Sequence, residues 1–220
     1  MDPINEALII SFYSHKLHVE DTCNLQCPSD GMMRLCEDVF SCLLDVECED
    51  IIRVIQKTGV VFEISHSDIP QFSNLDDCVY KVPYIVKDCG IDELTFTQIG
   101  FMLRTKPRKE GADMKYGENQ SKTASQMGLC SITKARIYPS HLGVAFCNLE
   151  KEKQMKLLPK LVLFTPYIYN QFATKAKYED IIASVSSLSQ STQKRRLTNI
   201  WSLISQVNKV LPYEFQIVRY

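Results

Sequence analysis

Two polar segments in the second half of the chain carry side chains that suit contact with a nucleic acid. Residues 115–126 and 191–199 combine amide side chains with lysine, arginine and small hydroxyl residues. An Asn or Gln side chain presents a donor beside an acceptor, which matches the adenine edge in the major groove, and the arginine fork matches guanine. The residues predicted to contact base edges are Asn119, Gln120, Gln126, Gln193, Arg196 and Asn199.

Phosphate contacts are predicted at the basic and hydroxyl residues around these amides, because lysines and helix N-termini both favour an anion. Arg136 is predicted to lie on a hairpin beside the first polar segment, and a basic loop before that segment could reach an adjacent groove. The predicted phosphate-contact residues are Lys115, Ser121, Lys122, Ser191, Thr192, Lys194 and Arg195, and the loop residues are Lys106, Arg108 and Lys109.

The remaining reactive residues match no common catalytic or metal site. Four residues have the types of a zinc site, but their spacing fits none of the usual structural patterns. These candidate ligands are His15, His18, Cys23 and Cys27. No glycine-rich phosphate loop occurs, and Ser65 stands where a nuclease strand beginning at Glu63 would need lysine. The sequence predicts no enzyme, no metal and no cofactor, with a divergent nuclease in residues 1–92 left open.

Charge is distributed unevenly, although the formal net charge is only −1. Residues 1–92 hold 17 acidic and 6 basic residues, residues 93–150 hold 5 and 8, and residues 151–220 hold 4 and 11. A basic surface attracts a phosphate backbone, whereas an acidic one must face elsewhere or contact a protein. This distribution predicts DNA contact in the last two-thirds and a protein partner for the first third. Ordinary solvated helix faces are the alternative.

Apolar residues recur at helical spacing in the acidic first third, and a β-prone run follows them. Ser29 or Asp30 would cap the second helix, and the third would end near Gly59. The predicted elements are helices at 4–18, 31–45 and 47–57 and a strand at 60–64.

The middle segment carries the clearest local signals. Thr95 and Gln98 form a capping box, Gly128 is typical of a helix end, and Ser140 can cap a final helix. The predicted elements are a helix from 96 to 103, a polar helix over 115–127, a hairpin with strands at 130–132 and 136–138, and a helix at 142–149. Helix, loop, polar helix, hairpin and helix is the order of a winged helix.

The last segment repeats this theme. A long apolar run is interrupted by Pro166, which must kink or begin a helix. The predicted elements are a helical region at 157–174, helices at 178–186 and 191–204 with a turn at 188–190 between them, and a strand at 215–218. Helix, turn, helix and strand again fits a winged helix.

Two short strings resemble known DNA-binding proteins. Residues 115–124, KYGENQSKTA, followed by Gly128 and Leu129, resemble a winged-helix segment of prokaryotic DNA-binding proteins. Residues 188–200, LSQSTQKRRLTNI, are similar to helix-turn-helix ends in proteins associated with restriction and phage-defence systems. The resemblance covers roughly residues 93–210. It implies tandem winged helices that grip duplex DNA, often as the non-nuclease part of a larger complex.

The predicted fold is therefore mainly α with short β-hairpins. An acidic helical N-terminal module occupies 1–92, with a further winged-helix-like unit as the alternative there. A winged-helix domain occupies 93–150 and a second winged-helix domain 151–220. The predicted function is binding of double-stranded DNA, as the recognition or accessory subunit of a prokaryotic defence or restriction-type complex. A free-standing transcriptional regulator, which would be a homodimer, and an adaptor that uses winged helices to bind protein are the alternatives.

The cellular compartment is predicted from the cysteines and the N-terminus. The chain has nine cysteines, an odd number that sits mostly in apolar runs, which predicts reduced thiols in a cytoplasmic protein. The acidic N-terminus and the short apolar run over residues 7–13 do not fit a signal peptide or a membrane span. We therefore expect no contact with a membrane.

Overall fold

The computed structural model of the chain describes residues 2–14, 30–90, 93–106 and 109–219. Within these ranges the protein is mainly helical, with eleven α-helices and one three-stranded antiparallel sheet. The prediction of a mainly α protein with a short β-hairpin is confirmed at that level. The end of the first predicted helix (residues 15–18), the proposed cap Ser29 and the four candidate zinc ligands lie outside the described residues.

Helices of seven to nineteen residues make up most of the chain. In chain order they are α1 (Pro3–Tyr13), α2 (Asp30–Asp45), α3 (Cys48–Thr58), α4 (Val82–Asp88), α5 (Phe96–Leu103), α6 (Glu110–Gln126), α7 (His141–Cys147), α8 (Lys151–Phe164), α9 (Pro166–Ala173), α10 (Tyr178–Ser184) and α11 (Gln190–Asn208). The strands are β1 (Leu94–Thr95), β2 (Ser131–Thr133) and β3 (Arg136–Tyr138). A π-helical turn (Asp77–Lys81) precedes α4, and a 3-10 turn (Tyr213–Phe215) follows α11.

Contacts between these elements group the chain differently from the three predicted domains. Unit 1 consists of residues 1–16, 41–70 and 155–220, and unit 2 consists of residues 17–40 and 71–154. The predicted boundary at 92 falls inside unit 2, whereas the predicted boundary at 150 lies close to the division between the units after residue 154. The acidic first third contributes helices to both units because its apolar side chains find their partners in later parts of the chain.

Aromatic packing holds the N-terminal helix in unit 1. The rings of Phe12 and Phe164 stack with their centroids 4.1 Å apart, and the Tyr13 ring packs edge-on against both. The Tyr13 hydroxyl donates to the carbonyl oxygen of Lys160 over 2.8 Å. The buried ammonium group of Lys160 donates to the carbonyl oxygens of Leu43 and Val46. These bonds satisfy carbonyl groups at the C-terminal end of α2, where a helix has no partners of its own.

Two predicted breaks in helical structure are confirmed in unit 1. The helix predicted at 47–57 is α3, and it ends at Gly59, whose φ of 64° suits glycine. Pro166 is the first residue of α9, where a missing N–H loses no hydrogen bond. The apolar run that Pro166 interrupts therefore forms two helices.

The strand predicted at 60–64 is wrong, because these residues form neither a strand nor a helix. No strand pairs with them among the described residues. Instead the side chain of Asn170 accepts from the backbone N–H of Phe62 over 2.9 Å and donates to its carbonyl oxygen over 2.8 Å. One amide side chain thus supplies both hydrogen bonds that a neighbouring strand would have provided.

The strand predicted at 215–218 is wrong for the same reason. The 3-10 turn takes its first residue, and the extended backbone after it meets no other strand within the described ranges. Asn208 accepts from the N–H of Ile217 over 3.2 Å and donates to its carbonyl oxygen over 2.8 Å. An asparagine at the end of α11 therefore holds this segment in place.

Unit 2 contains the sheet, and its elements follow the order α4, β1, α5, α6, β2, β3 and α7. Strand β3 lies between β1 and β2 and is antiparallel to both, with Ile137 opposite Leu94 on one side and Ile132 on the other. The predicted capping box is confirmed at the start of α5. Thr95 accepts from the N–H of Gln98, and the Gln98 side chain accepts from the N–H of Thr95.

The predicted hairpin and the helix after it are also confirmed. Strands β2 and β3 are joined by Lys134 and Ala135, whose φ angles of 50° and 60° are those of a type I′ turn. The Ser140 hydroxyl accepts from the N–H of Gly143 over 2.8 Å and caps α7.

Two glycines bring α5 and α6 into close contact. A Cβ atom at Gly100 would lie 1.9 Å from the carbonyl oxygen of Asp113, and a Cβ atom at Gly117 would lie 1.9 Å from the carbonyl oxygen of Phe96. Backbone meets backbone at both points, so neither position has room for a side chain. The contact fixes the rotation of α6 about its axis and thereby decides which of its side chains face solvent.

We predict that Gly117→Ala lowers the free energy of unfolding by about 3 kcal/mol, because its methyl group overlaps a backbone oxygen that cannot move alone. Gly111→Ala in the same helix is the matched control. No atom lies within 4 Å of a Cβ there, and we expect a gain of up to about 1 kcal/mol from helix propensity. Urea unfolding of both variants measures the difference, and equal stabilities would contradict the close contact.

Candidate nucleic-acid interface

The outward side of α6 presents charged and amide side chains. Lys115 and Lys122, two helical turns apart, are both exposed, and the half-exposed Glu118 and Asn119 lie between them. These four residues form what we term the α6 polar face. Gly117, at the contact with α5, lies on the opposite side of the helix.

The carboxylate of Glu118 bridges the two lysines of this face. Its Oε2 lies 2.7 Å from Nζ of Lys115, and its Oε1 lies 2.7 Å from Nζ of Lys122. Hydrogen bonds from these ammonium groups lower the pKa of Glu118, so the carboxylate is ionised at neutral pH. The side-chain amide of Asn119 has no hydrogen-bond partner among the described residues and is available to a ligand.

Two of the predicted contact residues on α6 face the interior instead. Gln120 and Ser121 are fully buried, because they follow Gly117 by three and four residues and lie on its side of the helix. The side-chain Oε1 of Gln120 accepts from the Ser73 N–H over 3.3 Å and from the Cys78 thiol over 3.1 Å. The prediction that Gln120 reads a base and Ser121 contacts a phosphate is therefore wrong.

The loop before α6 retains part of its predicted basic surface. Lys106 and Lys109 are exposed, and Arg108 lies outside the described residues. Gln126, the last residue of α6, is half-buried and lies one turn beyond Lys122. Lys106 and Lys109 therefore extend the basic surface to the N-terminal end of the helix, whereas Gln126 lies at its C-terminal end.

The hairpin carries basic residues beside the sheet. Arg136 is half-buried, and its Nε lies 3.6 Å from a carboxylate oxygen of Glu93, which neutralises part of its charge. Lys134 is exposed at the turn between β2 and β3. The hairpin tip is therefore a second cationic point of unit 2.

In α11 the predicted phosphate-contact residues are accessible. Ser191, Lys194 and Arg195 are exposed, while Thr192 is half-buried and accepts a hydrogen bond from the Ser189 hydroxyl over 2.9 Å. These side chains lie in the first turns of the helix, where an anion is favoured.

The predicted base-reading residues of α11 stabilise unit 1 instead. The Gln193 amide donates to the carbonyl oxygens of Ser186 (3.0 Å) and Leu188 (2.6 Å), which closes the turn before the helix. The Arg196 guanidinium donates to the carbonyl oxygen of Ile69, and only 6% of Asn199 is exposed. The prediction that these three side chains face outward to read bases is wrong, because Gln193 and Arg196 are hydrogen-bonded within the fold and Asn199 is buried.

Sequence reasoning missed two residues of this surface. Glu118 is not among the residues predicted from the sequence. Lysines three residues before it and four residues after it lie at the spacing of helical ion pairs, which could have indicated it. Lys134, between the two predicted hairpin strands, is not among the predicted contact residues either. Its position between two strands of a hairpin could have marked it as a cation at an exposed tip.

No family model, curated protein or solved structure matches the chain. In the part of the chain that the structure describes, no helix is both long and apolar enough to cross a membrane. The same ranges contain no group of three or more His, Cys, Asp or Glu side chains arranged to hold a metal ion.

We predict that Arg196→Ala lowers the free energy of unfolding by about 2 kcal/mol, because it removes a charge-assisted hydrogen bond to a backbone carbonyl. Lys194→Ala, two residues away and exposed, should change it by less than about 0.5 kcal/mol. Chemical unfolding midpoints report both values. Equal midpoints would mean that Arg196 has no structural role and is free to act as a surface cation.

Proposed function

We propose that unit 2 binds double-stranded DNA as a winged-helix unit that places α6 in the major groove. The observation that carries this proposal is the α6 polar face, on which two lysines and a free asparagine amide point away from the core. Lysine favours guanine or phosphate, and the asparagine amide fits the adenine edge. The major groove of duplex DNA is wide enough for a helix and offers partners to both the lysine ammonium groups and the asparagine amide.

The order of the elements supports this proposal. A helix, a strand, two helices and a hairpin follow one another from α4 to β3, and β3 pairs with both other strands. In a winged helix of this order the second of the two successive helices enters the groove, and the hairpin contacts the backbone beside it. Here that helix is α6, and the hairpin tip carries the exposed Lys134.

Exposed cations also lie just before the proposed contact. Lys106 and Lys109 precede α6, so they are available to the phosphates at the end of the helix that enters the groove. Such phosphate contacts fix the position of the protein on the duplex but carry no sequence information. They add to the affinity of the proposed contact without adding to its selectivity, which depends on the side chains of the α6 polar face.

The proposal retains one winged helix rather than the two that the sequence predicted. In unit 1 no hairpin follows α11 within the described residues. Of the predicted reading residues there, Gln193 and Arg196 bond to backbone carbonyl groups of the fold, and Asn199 is buried. The exposed Lys194 and Arg195 can add phosphate contacts but no base reading.

The wider role we infer is that of a recognition or accessory subunit of a prokaryotic defence complex, as the resemblance implies. In that role the chain contacts the duplex, and a partner carries out the chemistry. A protein-binding adaptor is the competing function, and exposed apolar residues of α5 and α6 favour it. They are Phe101, Met102 and Met114.

We predict that the double variant Lys115→Gln, Lys122→Gln binds a random-sequence duplex about tenfold more weakly at low salt, because two phosphate or base contacts are lost. The negative slope of log affinity against log salt should become shallower by about 2. Fluorescence anisotropy of a labelled duplex over a salt series measures both quantities. Lys87→Gln with Lys153→Gln removes the same charge from elsewhere in unit 2 and is the matched control.

The two variants together separate the candidate functions. A control that weakens binding as much as the test variant would mean that only net charge matters and that α6 has no special role. Wild-type protein that does not bind duplex DNA at any salt concentration would refute DNA binding and leave the adaptor function.

A further inference from the structure

A carboxylate stands between the two lysines of the α6 polar face, where the proposed function would bring it close to a polyanion. Glu118 accepts from Lys115 and Lys122 over 2.7 Å each. Only 21% of its side chain is exposed, against 58% for Lys115 and 48% for Lys122. The anion is therefore held in a fixed place on the helix, while its two partners reach into solvent.

The position of Glu118 makes binding to an arbitrary duplex costly. Phosphates repel the carboxylate, and either lysine that turns to a phosphate gives up its bond to Glu118. A carboxylate that loses its partners in a partly dehydrated interface is left unpaired, and an unpaired charge out of water raises the free energy of the complex. The cost disappears only if the DNA itself supplies a hydrogen-bond donor to the carboxylate.

Two base edges in the major groove provide such a donor, the N4 amino group of cytosine and the N6 amino group of adenine. The lysines beside Glu118 distinguish between them. In a C·G pair the O6 and N7 acceptors of guanine lie together beside the cytosine amino group. In an A·T pair the amino group separates the two acceptors, and the thymine methyl group lies beyond them. A carboxylate with an ammonium group beside it therefore fits C·G better.

We propose that Glu118 is a specificity-determining residue that selects duplexes with a C·G pair under the middle of α6, by accepting from cytosine N4 while a neighbouring lysine donates to guanine. This inference rests on the proposed function. It adds that one side chain, Glu118, weakens binding to non-cognate DNA and strengthens binding to one base pair.

The test compares the full-length wild-type protein with Glu118→Gln. Each protein first selects duplexes from a library with a randomised central segment. Its affinity is then measured for three duplexes: the selected one, the same one with its central C·G pair replaced by T·A, and one of random sequence. For wild type we expect selection of C·G at one position and about a tenfold loss on its replacement. For Glu118→Gln we expect a several-fold higher affinity for random duplex and little or no loss on replacement.

Glu152→Gln, which makes the same charge change at an exposed position of α8, is the matched control. It should keep both the affinity and the preference of wild type. Thermal melting of the three proteins checks that folding is unchanged, which we expect because surface ion pairs contribute little to stability.

Several results would overturn the role of Glu118. They are selection of adenine at the central position, a cytosine preference that survives Glu118→Gln, and an equal affinity gain in Glu152→Gln. These outcomes leave DNA binding intact and remove only the specificity device. Absence of any salt-dependent duplex binding by wild type would instead refute the proposed function, and this inference with it.

Discussion

The close contact between α5 and α6 is the constraint on which the candidate site depends. At Gly100 and Gly117 one helix backbone lies against the other with no room for a side chain. Since a helix is rigid about its axis, fixing one side of α6 fixes every other side. Gln120 and Ser121 are turned inward by this contact, and Lys115 and Lys122 are turned outward. The surface available to a ligand is thus a consequence of two missing side chains on the opposite side of the helix.

The resulting surface is not simply basic. The paired oxygens of Glu118 hold two lysines in register, so the face carries an acceptor with a donor on each side. A plain cluster of cations attracts any polyanion, whereas an arrangement of fixed donors and acceptors favours a ligand with the complementary pattern. Electrostatic attraction from the exposed lysines of the preceding loop and the hairpin then adds to affinity without changing that pattern.

In unit 1, asparagine side chains hold two segments that pair with no strand among the described residues. Asn170 and Asn208 each satisfy the N–H and the carbonyl group of one residue, Phe62 and Ile217 respectively. Buried or half-buried backbone groups need such partners, and a side-chain amide has the required donor and acceptor. The Gln193 amide instead donates to two carbonyl oxygens in the turn before α11. Gln193, which the sequence predicts to read a base, is thereby committed to the fold.

The sequence by itself determined the features that depend on neighbours along the chain. These include the capping box at Thr95, the end of α3 at Gly59, the start of α9 at Pro166 and the hairpin before Ser140. Local hydrogen bonds and backbone preferences decide such features within a few residues. Only the tertiary structure decided which polar side chains are exposed, whether an extended run finds a strand, and that the first third of the chain divides between two units. Those outcomes depend on packing between residues far apart in sequence, such as Phe12 with Phe164, which no local pattern contains.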